Sequence, residues 1–150
     1  MRLATLQFLL EVYPLVAGLV SVLLAQILKI VYYYIKEGSL NPKSLISTGG
    51  MPSSHAAMVT GLSMAVGLQE GWNSTLFCVC VIFSLVVLYD AAGIRRAAGK
   101  QATVLNQVIE DVLQKGEFKP EKLSEFLGHT PLEVVVGSLL GIGIAFSLYY

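Results

Sequence analysis

Four long apolar segments constrain the fold of this chain more than any other feature of its sequence. They cover approximately residues 14–35, 52–68, 74–89 and 131–150. A helix that crosses a bilayer needs about 20 predominantly apolar residues, and these segments approach that length. Only 13% of the residues are charged, whereas a soluble domain carries about 25%. We therefore predict a single all-α domain over residues 1–150, an integral membrane bundle of about four transmembrane helices.

Small residues give the second and fourth segments surfaces suited to close helix packing. Without side-chain bulk, neighbouring helix backbones approach each other closely inside a membrane. The same property predicts a homodimer or a larger assembly, because helices of separate chains also pack in this way. The small residues are Ala56, Ala57, Gly61, Ser63, Ala65, Gly67, Gly137, Gly141 and Gly143.

A polar stretch, residues 95–129, separates the third and fourth segments. Between residues 104 and 113, apolar side chains recur at helical spacing, with Asn106, Glu110 and Asp111 on the opposite face. This pattern predicts an amphipathic helix at the membrane interface, acting either as a lid over a site or as an inert anchor. A shorter helix is predicted from Pro120 onward.

The charged residues predict the orientation of the chain and exclude one class of partner. Ten basic and ten acidic residues give a formal net charge of zero, which argues against nucleic-acid binding. With four spans, one membrane face receives most basic residues, and the positive-inside rule makes that face cytoplasmic, with both termini outside. We expect an integral protein of a bacterial cytoplasmic membrane, although phosphate-binding residues would also make this face basic. It carries eight of the ten, Lys36, Lys43, Arg95, Arg96, Lys100, Lys115, Lys119 and Lys122.

Both histidines of the chain lie where a polar segment meets an apolar one on this basic face. His55 ends an MPSSH sequence, and His129 lies in a GHTP sequence. An imidazole titrates near neutral pH and suits nucleophilic and acid–base chemistry. We predict that Pro52 occupies the first turn of a helix, so that Ser53, Ser54 and His55 lie at an N-terminus that binds anions. The alternative is that each histidine only caps a helix or packs against one.

Basic side chains near these histidines are candidates to bind the same anion. Guanidinium and ammonium groups that face a helix N-terminus suit a phosphoryl group, whose transfer depends mostly on positioning and charge stabilisation. Lys29 lies within the first apolar segment, where charge is costly without a partner, or else it snorkels to the interface. Asp90 either pairs with an arginine for structure or takes part in catalysis. The candidate cations are Lys29, Lys36, Arg95, Arg96 and Lys100.

Glu133 has two candidate roles that compete for one side chain. The sequence TPLE is a capping box, with Thr130 as N-cap and Pro131 in the first turn. Glu133 also follows His129 by four residues, close enough to orient that ring through Nδ1.

Metal chemistry is not predicted. The cysteines, histidines and carboxylates do not have metal-ligand spacing, so we expect no metal and no cofactor. Cys78 and Cys80 lie within the third apolar segment, and we interpret both as packing residues.

Taken in order, these motifs resemble those of the type-2 phosphatidic acid phosphatase superfamily, which also includes the vanadium haloperoxidases. Lys29 and Lys36 have the spacing of its first motif, with lysine in place of arginine. The PSSH sequence resembles the second motif, with Ser54 in place of glycine. An arginine, then His129 and Glu133, resemble the third motif, with glutamate in place of aspartate. This chain has more than thirty residues between Arg96 and His129, where the family usually has only a few. It also has fewer spans than the usual six, so it resembles a short, divergent branch of the superfamily.

The resemblance implies a metal-independent phosphohistidine mechanism. His129 would attack phosphorus while Glu133 holds its ring, and His55 would protonate the leaving alkoxide and then help to activate water. Lys29, one arginine of the pair Arg95 and Arg96, and the backbone of Ser53 and Ser54 would bind the phosphate oxygens.

The resemblance therefore implies a phosphatase of lipid phosphates that enter laterally from the bilayer. A cytoplasmic site favours a phosphomonoester such as phosphatidylglycerol phosphate or phosphatidic acid, and an external site favours undecaprenyl diphosphate. The alternative is a catalytically silent membrane protein that keeps the fold for lipid binding or assembly. A haloperoxidase is a more distant reading, because a membrane-embedded site suits lipid better than halide. A serine hydrolase using Ser53 or Ser54 lacks the nucleophile-elbow glycines.

Overall fold

A computed structural model describes residues 12–38, 50–113 and 128–150 of the chain. These residues form five α-helices and one π-helix, and no strand occurs among them. The predicted all-α membrane fold is confirmed, and the four predicted apolar segments coincide with α1, α2, α3 and α5 to within a few residues. The helices are α1 (Tyr13–Glu37), α2 (Ser54–Glu70), α3 (Thr75–Tyr89), the π-helix (Asp90–Ile94), α4 (Arg95–Leu113) and α5 (Pro131–Tyr149).

Local sequence signals fix where these helices begin and end. Ser74 precedes α3 and its hydroxyl accepts the N–H of Phe77 at 3.1 Å. Thr130 and Glu133 form the predicted capping box at the start of α5. Gly38 ends α1 in the left-handed conformation, with φ of 68°, which glycine adopts at no steric cost.

Helix α2 lies at the centre of the bundle, and α1, α3 and α5 pack around it. Its small residues allow the backbones to approach closely, as predicted. A Cβ atom at Gly141 would overlap the carbonyl oxygen of Ala57, and one at Gly137 would overlap the carbonyl oxygen of Ser53. These two glycines are therefore used within the chain, whereas Gly143 is exposed and has open space around it. The predicted self-association stays a prediction.

Several hydroxyl groups inside the bundle join its helices by hydrogen bonds, which suits a bilayer because lipid offers no partner. The Tyr13 hydroxyl donates to the carbonyl of Ala145 at 2.6 Å and joins α1 to α5. The Ser84 hydroxyl of α3 donates to the carbonyl of Val59 at 3.0 Å and lies 2.7 Å from the Ser63 hydroxyl of α2.

Three stretches of the described chain are long and apolar enough to cross a membrane: α1, the continuous run from α3 into α4, and α5. Helix α2, also predicted as a span, has 17 residues and is shielded from lipid by its neighbours. The amphipathic helix begins at Arg95 rather than near residue 104, because the π-helix joins it directly to α3. The shorter helix predicted from Pro120 lies outside the described residues.

Candidate active site

The two histidine-bearing segments and the π-helix are joined by backbone hydrogen bonds. The N–H of Ser53 donates to the carbonyl of Glu133 at 3.0 Å, and the N–H of His129 donates to the carbonyl of Ala91 at 3.1 Å. The start of α2, the start of α5 and the end of α3 therefore meet at one end of the bundle. Because these bonds involve backbone atoms, they position the segments before any side-chain contact is considered.

The start of α2 differs from the prediction by two residues. Ser53 is the N-cap, and its hydroxyl accepts the N–H of Ala56 at 3.3 Å. Pro52 therefore precedes the cap instead of occupying the first turn, and Ser54 and His55 are the first two helical residues. An α-helix has no internal acceptor for the N–H groups of its first turn, so this end of α2 keeps the polarity that binds anions.

The structure brings the two imidazoles together. Their ring centroids are 6.1 Å apart, and the ring planes are inclined at 62°. His129 is only 2% exposed. The sequence alone did not fix this pairing, since 73 residues lie between the two histidines.

Glu133 fills both roles that the sequence left open. Its Oε2 lies 3.3 Å from Nδ1 of His129 and also accepts the N–H of Thr130 at 3.0 Å. One carboxylate oxygen therefore closes the capping box and orients the imidazole, and the roles do not compete. A proton on Nδ1 shared with this oxygen leaves the lone pair on Nε2. Nε2 is buried and makes no hydrogen bond to any part of the chain that the structure describes.

The surroundings of His129 favour its neutral form. Burial is the largest effect and lowers the pKa of His129 below the ordinary 6.5 of an imidazole. The hydrogen bond and the charge of Glu133 act in the opposite direction, while the charges of Lys29 and His55 lower the pKa further. A neutral imidazole with a buried lone pair has the properties of a nucleophile.

Lys29 lies inside the protein beside this pair, although its helix is long and apolar enough to cross a membrane. It is 2% exposed, so the side chain does not snorkel to the surface. A Cβ at Gly50 would lie 3.0 Å from Cε of Lys29 and 2.9 Å from Cε2 of Tyr33. Gly50 has φ of 97°, and both its conformation and this close approach require glycine. Lys29 is thus held against the segment that leads into α2.

The remaining predicted site residues are placed differently. Lys36 is exposed, with its Nζ 5.9 Å from the centre of the Tyr32 ring, and Lys100 is exposed on α4. The amide and the hydroxyl of Ser53 both take part in bonds that hold the fold. Arg95 and Arg96 begin α4, but their side chains lie outside the described part of the molecule. The pairing predicted for Asp90, at the start of the π-helix, stays a prediction.

Sequence reasoning missed two contributors to the site. The carbonyl of Ala91, which holds His129, is a backbone group and leaves no signal in residue type. Gly50 does leave one, since glycine adopts the left-handed conformation at no steric cost, but the sequence predicted only flexible backbone there.

Comparisons with known proteins support the predicted family resemblance. A family model described as "Divergent PAP2 family" matches residues 10–144. The uncharacterized membrane protein YuiD of Bacillus subtilis (strain 168) is 42% identical over 153 aligned residues, covering 95% of this chain and 97% of the relative. No solved structure matches the chain.

Proposed function

The chain belongs to the divergent PAP2 family, and we propose that it is a lipid phosphate phosphatase that works through a phosphohistidine intermediate. The observation that carries this proposal is the state of His129. Glu133 holds Nδ1, Nε2 is buried without a partner among the described residues, and a second imidazole lies 6.1 Å away.

In the first step of the proposed reaction, the Nε2 lone pair of His129 attacks phosphorus. The Nε2–P bond forms while the bond between phosphorus and the lipid oxygen breaks, and His55 gives its proton to the departing oxygen. The positive charge that develops on the His129 ring is stabilised by Glu133. In the second step, His55 takes a proton from water, which attacks phosphorus and releases inorganic phosphate and free His129.

Positive charge around the rings compensates the phosphate. We assign the buried ammonium of Lys29 and the amide of Ser54, in the first turn of α2, to the phosphate oxygens. The amide of Ser53 already bonds Glu133, so Ser53 acts by positioning the segment. Arg95 or Arg96 is proposed as a further phosphate ligand. Lys36 and Lys100, being exposed, would attract the anionic headgroup before it reaches the rings.

The depth of the site supports a lipid as the substrate. Lys29 lies within a candidate membrane span, and His129 comes two residues before another. A lipid whose phosphate or diphosphate group lies at this depth keeps its hydrocarbon chains in the bilayer. We propose a cytoplasmic site, because most basic residues lie on its side of the membrane, and phosphatidylglycerol phosphate or phosphatidic acid as substrate.

The test is phosphate release by detergent-purified wild type and His129→Ala. Phosphatidylglycerol phosphate, phosphatidic acid and undecaprenyl diphosphate would be offered, with exposed Asn73→Ala as the control variant. We expect release by wild type and by the control, and a loss of about 10⁴-fold or more in His129→Ala. The wild type should also carry an acid-labile phosphoryl group that His129→Ala lacks. Full activity in His129→Ala would show that His129 is not the nucleophile.

One observation favours a second candidate function, a catalytically silent lipid-binding protein. The cation at the second position of the first motif, Lys36, is exposed against Tyr32. A folded wild type that binds phospholipid but releases no phosphate from this panel would support that function instead.

A further inference from the structure

An apolar groove of about 210 Å³ runs along the outside of α2 between α3 and α5. Its walls include Phe77, Leu85 and Leu88 of α3 and Ile142 of α5, with Met64 on its floor. Leu85 is 57% exposed, so the groove opens sideways, towards the surrounding lipid.

The groove begins directly beneath the candidate active site. Leu88, at its near end, packs against a buried cluster of Ala56, Ala91 and Val134. Ala56 follows His55 in α2, and the carbonyl of Ala91 is the acceptor for His129. A molecule whose phosphate lies between the histidines can therefore continue into the groove without leaving the protein surface.

The dimensions of the groove fit one hydrocarbon chain. From Leu88 to Phe77, α3 advances roughly 16 Å at 1.5 Å per residue, about half of a hydrocarbon core of about 30 Å. The volume is below the roughly 300 Å³ at which pockets begin to enclose a drug-sized ligand, so it suits a slender chain.

Hydroxyl groups in the groove are turned to the protein. Thr60 donates to the carbonyl of Ala56 at 2.7 Å, and Ser84 donates to the carbonyl of Val59 at 3.0 Å. The Ser63 hydroxyl lies 2.7 Å from that of Ser84. The surface left for a ligand is hydrocarbon, which excludes a polar chain and favours an alkyl or isoprenoid one.

A second, smaller groove of about 110 Å³ lies on the other side of α3, against α1. Its α1 wall is formed by Leu15, Gly18 and Leu19, which lie ten or more residues before Lys29. At 1.5 Å per residue this places the wall about 15 Å or more from the site. Its α2 wall includes Met58, three residues after His55, so this groove is the alternative place for the chain and supplies a matched comparison.

We propose that the groove between α3 and α5 binds one hydrocarbon chain of a lipid phosphate whose headgroup lies between His55 and His129. The inference rests on the proposed function, because it places that headgroup at the histidines. It makes the substrate a long-chain phospholipid or isoprenyl phosphate of one leaflet and assigns chain-length selectivity to Phe77 and Met64, which lie towards the far end.

The single tryptophan of the chain reports on that far end. The Trp72 ring lies 5.2 Å from the ring of Phe77. The probe is a long-chain alkylphosphonate brominated at the chain end, which the enzyme cannot hydrolyse, added to purified protein in detergent. We expect saturable quenching of Trp72 fluorescence that the unbrominated phosphonate reverses and phosphatidylcholine does not.

Two double variants locate the chain. Leu85→Phe with Ile142→Phe fills the proposed groove, and Leu19→Phe with Leu62→Phe fills the other. We expect about tenfold weaker binding in the first pair, which corresponds to the loss of roughly two buried methylene groups. The second pair should bind the phosphonate as the wild type does. Leu85→Phe alone, at an exposed position, should weaken binding in the same direction if the double variant does not fold.

Hydrolysis separates this inference from the proposed function. The groove-filled variant should lose kcat/KM for a long-chain alkyl phosphate and keep it for a short-chain one. Wild-type binding and hydrolysis in that variant, or equal competition by phosphatidylcholine, would overturn the groove assignment while leaving the enzyme intact. Silence of the wild type on every phosphate, with the expected quenching pattern, would overturn the enzyme and leave the groove.

Discussion

Helices α1, α2 and α5 are held together very differently from α3. Helices α2 and α5 touch backbone to backbone at Gly137 and Gly141, and Gly61 of α2 lies against the Ser21 hydroxyl of α1. The Tyr13 hydroxyl bridges α1 to α5. In α3, Ser84 is the only buried residue, and most of the helix faces outward. The three-helix frame therefore carries Lys29, His55, His129 and Glu133, whereas α3 supplies a groove wall and, through the π-helix, one carbonyl. Site geometry and lipid contact are thus assigned to separate parts of a small chain.

The largest effect is expected from a substitution that disables the site and leaves the three-helix frame intact. Glu133→Gln keeps an oxygen that accepts from Thr130 but removes the charge that stabilises a positive His129 ring. We expect kcat to fall by about 10²–10⁴-fold, in line with the loss of an orienting carboxylate elsewhere, with little change in thermal stability. Exposed Glu70→Gln is the control, and unchanged kcat in Glu133→Gln would remove Glu133 from the mechanism.

A smaller effect is expected from breaking the frame itself. Gly141→Val forces a side chain against the carbonyl of Ala57 and should lower the free energy of unfolding by about 1–3 kcal/mol, with loss of activity. Gly143→Val adds the same side chain to the same helix where space is open, so it should be neutral. Thermal unfolding of both variants in detergent measures the difference, and equal stability would contradict close packing of α2 on α5.

Weakening the attachment of α3 to α2 should lower the free energy of unfolding by less still. Ser84→Ala removes the hydroxyl that bonds Val59 and Ser63, and interhelical hydrogen bonds in membranes contribute about 0.6 kcal/mol on average. Ser147→Ala, whose hydroxyl bonds its own helix at Gly143, is the matched control. We expect activity on a short-chain phosphate to survive in both, because the frame is intact. Loss of that activity in Ser84→Ala would show that α3 takes part in the site geometry.

The smallest effect is a dependence of stability on pH. The folded pKa of His129 lies below its unfolded value of 6.5, so between these two values the unfolded chain binds more protons. Stability should therefore fall as pH decreases through that window and level off below the folded pKa. Thermal midpoints of wild type and His129→Gln measure it, and the variant should show a flatter slope. Equal slopes would mean that His129 is not held neutral. His55, Lys29 and Glu133 face the same ring, but they are unchanged in both proteins, so the comparison isolates His129.

The sequence predicted the helices well because their ends carry local signals. Apolar run lengths, Thr130 with Glu133, and Gly38 each act within a few residues of one another. Lys29 and the histidines were also recognisable, since buried charge and imidazoles at membrane junctions are unusual. The entry to α2 was placed too early because Pro52 is equally suited to a position before the cap.

Contacts between distant backbone atoms were not predictable. The bonds from Ser53 to Glu133 and from His129 to Ala91 depend on how the helices pack, and residue types do not encode them. The π-helix is a similar case: its sequence, DAAGI, has no residue that demands hydrogen bonds spanning five residues instead of four. The groove is a further consequence of packing, since it exists only where α3 and α5 diverge around α2.

The shared use of Glu133 Oε2 has a consequence for relatives of this protein. The atom that orients His129 also secures the first turn of α5, so folding alone would preserve the glutamate in a descendant that had lost its chemistry. Its presence in a relative is therefore poor evidence of enzymatic activity.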